Sequence, residues 1–114
     1  GALAEYQRTG NSTEAARVAV NLADAFVTSA EAHYKAAVLL MRAGAADRAL
    51  RYAMRAGRLD PATVEYQLSL AQAQFMLDRP QDSIATLEDI LKRQPGESRA
   101  EFWLGEVRRQ AQGH

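Results

Sequence analysis

Residues 30–61 read AEAHYKAAVLLMRAGAADRALRYAMRAGRLDP, and residues 64–95 read VEYQLSLAQAQFMLDRPQDSIATLEDILKRQP. The first stretch carries Tyr34, Ala37, Val38, Leu40 and Met41 at helical spacing over 30–43 and stops at Gly44. It resumes over 46–57 with a small-residue face of Ala49, Ala53 and Ala56. Asp60-Pro61 closes it, because proline disfavours helix at the residue before it. The plan returns 34 residues on: a helix over 61–77 with Leu68, Leu70, Ala71, Phe75 and Met76, a turn at Asp78-Arg79-Pro80, and a helix over 81–93 with Ile84, Leu87, Ile90 and Leu91. One helical hairpin per period predicts units that bury their apolar faces by stacking.

Outward from these two units the pattern thins. At the start, 1–9 reads as a short helix and Gly10-Asn11-Ser12-Thr13 as a turn, with Gly10 ending one helix and Ser12 or Thr13 capping the next. Residues 14–26 then place Ala15, Val18, Ala19, Leu22, Ala23 and Phe26 at helical spacing. Thr28-Ser29-Ala30-Glu31 has the form of a capping box opening the first full unit. Beyond Gln94-Pro95-Gly96, residues 98–111 form one more helix with Phe102, Trp103, Leu104 and Val107, ending in a polar tail. Seven helices with short connections predict antiparallel neighbours in sequence order.

Composition narrows the function classes. The 114 residues suit one domain and contain no cysteine, which removes disulfides, thiolate nucleophiles and cysteine metal sites. Formal net charge is zero, which argues against nucleic acid as partner. No apolar run approaches the roughly 18 residues of a membrane span, and the first residues lack the pattern of a signal peptide. The compartment stays open between cytoplasm and periplasm. The preference for arginine over lysine hints at a GC-rich bacterial source.

With the period and the turn residues in place, the whole chain resembles the tetratricopeptide repeat family, whose pattern is W-x2-L-G-x2-Y, then A-x3-F, then P. The Leu-Gly pair is Leu104-Gly105, softened to Leu70-Ala71 and Ala36-Ala37; the Ala position holds Ala15, Ala49 and Ser83; the Pro position holds Val27, Pro61 and Pro95. The Trp position departs, holding His33, Gln67 and Glu101, with aromatics beside it at Tyr34, Tyr66, Phe102 and Trp103. The resemblance implies an all-α, right-handed superhelix of stacked antiparallel hairpins. It divides the single domain into a partial first repeat (1–29), repeats at 30–63 and 64–97, and a C-terminal capping helix at 98–114. The chain reads as a segment of a longer protein.

Enzyme motifs are missing. There is no HExxH, P-loop or GxGxxG, and Glu101 and Glu106 do not share a helical face. His33 reads as a packing or surface residue. Asn11-Ser12-Thr13 fits a glycosylation sequon but reads better as turn and cap. Arg48, Arg51 and Arg55 repel one another at helical spacing, so they are expected to be well solvated or paired across the structure.

The resemblance places the functional surface on the concave face lined by the first helix of each unit. The groove residues it implies are Arg8, Tyr34, Val38, Met41, Arg42, Leu68, Gln72, Phe75, Arg99, Phe102 and Arg109, with Gln7, Glu31, Glu65, Met76 and Glu106 beside them. One subclass of the family grips a C-terminal carboxylate with a lysine, asparagines and an arginine. The matching positions here hold Tyr34, Val38, Ser69, Arg99 and Trp103, of which only Arg99 fits. The expectation is therefore a non-catalytic scaffold without cofactor or metal, binding a partner peptide or helix inside a bacterial complex. Self-association through the repeat ends, as a monomer to weak homo-oligomer equilibrium, is the alternative. RNA binding is a weaker third class.

Overall fold

Alanine-rich, proline-poor segments favour helix, and six helices run through the chain: α1 (Ala2–Ala25), α2 (Ala30–Arg42), α3 (Ala46–Leu59), α4 (Val64–Met76), α5 (Pro80–Arg93) and α6 (Ser98–Gln112). These come from a computed structural model that describes the backbone of residues 2–113 and the side chains of residues 11–113. Each helix packs on the next in sequence, and α2 also touches α4. The result is two stacked hairpins, α2/α3 and α4/α5, flanked by α1 and α6 in a slab of 38 × 37 × 20 Å. Among the described residues there is no strand.

Local chemistry sets the boundaries. Gly44 at φ 82° and Asp78 at φ 58° fill the same left-handed position in successive hairpins. A left-handed backbone suits glycine, and Asp tolerates it through local hydrogen bonding. Pro80 opens α5 at a position whose N–H needs no helical partner. α4 begins at Val64 rather than near Pro61, because the Asp60 carboxylate organises the turn. It accepts the Ala62 N–H at 3.2 Å and the Thr63 hydroxyl at 2.6 Å.

The cap of α2 is Ser29, whose Oγ accepts the Ala32 N–H at 3.1 Å. The expected Thr28–Glu31 capping box is thus displaced by one residue. The Ser29 N–H donates to the Phe26 carbonyl at 3.0 Å, and this turn leaves Thr28 outside the helix. α6 is capped by Glu97, whose carboxylate accepts the Ala100 N–H at 2.9 Å.

The larger correction concerns α1. The turn expected at residues 10–13 does not form; the helix runs through it, so there are six helices rather than seven. Gly, Asn, Ser and Thr each cost about 0.5–1 kcal/mol against Ala inside a helix. A hairpin, however, leaves backbone groups unpaired at both helix ends and needs a long packed face to repay them.

Two apolar clusters fill the slab. One joins α1, α2 and α3 through Val20, Leu40, Met41, Tyr52 and a set of alanines; the other joins α4, α5 and α6 through Val64, Leu87, Ile90, Leu104 and Val107. Alanines at 36, 49, 53 and 56 are wholly buried, which is how α2 and α3 approach so closely. Polar ties cross the helices. The Tyr52 hydroxyl donates to Asp24 at 2.9 Å, and the Ser83 hydroxyl to the Ala71 carbonyl at 2.8 Å. Burial, reinforced by the Asp24 carboxylate, pushes the Tyr52 phenol above its usual range. His33 is fully buried with its ring 5.9 Å from that of Tyr52.

Candidate functional site: a groove across the first helices

Residues four apart on a helix share a face, and three such series converge. Tyr34 and Val38 come from α2, Leu68, Gln72 and Phe75 from α4, and Arg99, Trp103 and Val107 from α6. Together with Glu65, Ser69, Ala71, Ser83 and Leu87 they line a cavity of about 190 Å³. Its walls are mostly aliphatic and aromatic, with Glu65, Ser69, Gln72, Ser83 and Arg99 as the polar members. Ser83 is fixed to α4 by its buried bond to Ala71, which holds α5 against the floor. At the rim the Tyr34 and Tyr66 rings lie 5.0 Å apart, tilted by 43°.

The electrostatics of the lip are balanced. Arg99 bridges Glu65 at 3.0 Å and Glu97 at 2.8 Å. The Arg99 guanidinium holds the Glu65 carboxyl below the usual carboxylate range. The Ala100 N–H does the same for Glu97, with Arg99 adding to it. Both carboxylates in turn raise the Arg99 guanidinium. With a carboxylate on either side, Arg99 is not a spare cation for a ligand carboxylate.

The groove therefore brings together Tyr34, Val38, Leu68, Gln72, Phe75 and Arg99 of the expected set. It leaves others out. Met41 is only 7% exposed and packs in the α1–α3 core, because it points toward the neighbouring helices and not the groove. Phe102 is 60% exposed and lies outside the cavity lining, stacked edge-on against Trp103 at 5.4 Å. Arg42 is exposed and Arg109 is paired with Glu106; neither lines the cavity. The side chain of Arg8 lies outside the described residues. Ser69, Ala71, Ser83 and Leu87 also line the cavity outside the expected set, and on α6 sequence reasoning missed Trp103 and Val107. Their signal was present, since 99, 103 and 107 repeat the four-residue step of 34 and 38.

The tetratricopeptide repeat family profile matches residues 4–63, 45–98 and 68–113. The chain is a tetratricopeptide repeat protein. Repeats of this family are protein-interaction scaffolds, and they are generally non-catalytic. Solved structures share the fold, two of them as follows. The type III secretion translocator chaperone SycD of Yersinia enterocolitica superposes with a TM-score of 0.75 at 14% identity, over 97% of this chain and 81% of its own. An O-GlcNAc transferase mutant of Thermobaculum terrenum superposes with a TM-score of 0.73 at 23% identity over 90% of this chain. The present chain spans about a fifth of that transferase, covering 20% of its length. No curated protein matches this tetratricopeptide repeat chain by sequence. Among its described residues, no helix is long and apolar enough to cross a membrane.

Proposed function

We propose that this chain is a non-catalytic scaffold that holds a partner peptide or helix in its concave groove, as part of a larger bacterial protein or complex. The observation that carries the reading is the cavity walled by Tyr34, Val38, Leu68, Phe75 and Trp103 from three successive first helices. Aromatic anchors in a partly enclosed apolar pocket are where binding energy concentrates. Arg99 is committed to two carboxylates, so apolar side chains rather than a terminal carboxylate are the feature read. Peptides selected from a displayed library on the wild-type protein test this. Tyr34→Ala with Trp103→Ala should weaken the selected peptides by about 1–3 kcal/mol with helicity unchanged. Phe102→Ala, outside the cavity, should leave them unaltered. A folded double variant that keeps wild-type affinity removes the groove from consideration.

A second reading, self-association, is favoured by the outer face of α1. Val18 and Leu22 are each 50% exposed. The residues one period on, Tyr52 and Ala56, are buried. The face of α1 is thus built to receive a helix. The corresponding face of α6 carries Glu101, Gly105 and Arg108, all exposed. Apolar does not match polar, so copies would meet α1 to α1 about a two-fold axis rather than head to tail.

A further inference from the structure

The outward face of α3 carries four exposed arginines. Arg48, Arg51, Arg55 and Arg58 are all exposed and follow one another at steps of three, four and three residues. They form one stripe along about 15 Å of helix. Among the described residues no carboxylate lies within ion-pair distance of any of them. Elsewhere four arginines are matched, Arg17 by Glu14, Arg99 by Glu65 and Glu97, Arg108 by Glu88, and Arg109 by Glu106, while Arg42 and Arg79 stand singly and Arg93 donates to the Pro61 carbonyl.

The fold does not demand this stripe. One period later, on the outward face of α5, the same four positions hold Asp82, Ala85, Asp89 and Lys92. One period earlier, on α1, they hold Glu14, Arg17, Asn21 and Asp24. Both faces mix charges as a merely solvated helix does, whereas on α3 four arginines face a single acid, Asp47, four residues before Arg51. Like charges at three- and four-residue spacing weaken their own helix, so α3 carries four of them at a cost to itself.

We propose that the α3 stripe is a second docking surface, on the side of the hairpin away from the groove, for an acidic helix of a protein partner. The steps of three and four residues match carboxylates spaced the same way on a facing helix, and each guanidinium can take a carboxylate with two parallel hydrogen bonds. Met54 and Leu59, 37% and 42% exposed, flank the stripe and supply apolar contact that a phosphate backbone does not use. The chain as a whole is neutral, so it lacks the broad positive field with which proteins collect polynucleotides or anionic membranes.

The probe is a stapled helical peptide with glutamates at i, i+3, i+7 and i+10 and leucines beside them; its glutamine counterpart is the control. Wild type should bind the glutamate peptide at low salt, more weakly as salt rises, and ignore the glutamine one. Arg51→Gln with Arg55→Gln should lower that affinity about tenfold or more, with helicity retained. Arg42→Gln with Arg79→Gln, two exposed arginines away from α3, should not. Three results would each overturn the proposal: no binding by wild type at low salt, equal binding by the α3 variant, or preference for a single-stranded oligonucleotide or phosphatidylserine vesicles over the peptide.

Discussion

His33 occupies the position where the family pattern puts tryptophan, and its two ring nitrogens have different fates. Nδ1 faces the Ser29 carbonyl at 2.8 Å and must therefore carry the proton. Nε2 is buried and has no hydrogen-bond partner among the described residues. A buried acceptor left unsatisfied costs about 1–3 kcal/mol. His33→Leu removes that lone pair while keeping bulk between α2 and α3. Urea unfolding should show its stability equal to wild type or about 1 kcal/mol above it. His33→Ala, which opens a cavity, should lose about 2–4 kcal/mol. A leucine variant as unstable as the alanine one would mean that the Nδ1–H bond, not packing, is what the site requires. The sequence placed His33 at the family's tryptophan position and left it as a packing or surface residue. It could not show the orphaned nitrogen, which depends on what surrounds the ring.

At the level of the elements, the turn positions were the most readable part of the chain. Gly44 and Asp78 lie one period apart, and both adopt the left-handed backbone that ends a helix. Aspartate holds that conformation less easily than glycine, at a difference of about 1 kcal/mol. Asp78→Gly should thus raise the thermal midpoint, by about 0.5–1 kcal/mol of stability, and an unchanged or lower midpoint would show that the Asp78 side chain does more than fill the turn. Gly10 stands one period before Gly44, and the same logic failed there. A turn forms only where both flanking helices have partners along their length, and that is a tertiary condition that no local residue encodes. On α6 the expectation missed by one residue: Phe102 was expected and Trp103 lines the cavity. One residue is about 100° of rotation around a helix, enough to exchange groove for solvent. Met41 was lost to the core for a related reason, since a methionine suits either place.

For the molecule as a whole, the two ends differ. Completing the burial of Val18 and Leu22 in a two-fold contact would contribute about 2 kcal/mol per copy, enough for weak pairing only. Light scattering over a wide concentration range should show mass rising above one chain, and Val18→Gln with Leu22→Gln should hold it at one chain without loss of helicity. A single-chain mass at every concentration would remove self-association through α1.

The polar face of α6 also gives the array a direction. A helix presenting Glu101, Gly105 and Arg108 offers a newcomer nothing to bury, whereas α1 offers Val18 and Leu22. A protein engineer lengthening this scaffold with copies of residues 64–97 would splice them in ahead of α6, keeping that helix last. Appended after it, the same units would meet a surface already finished for water.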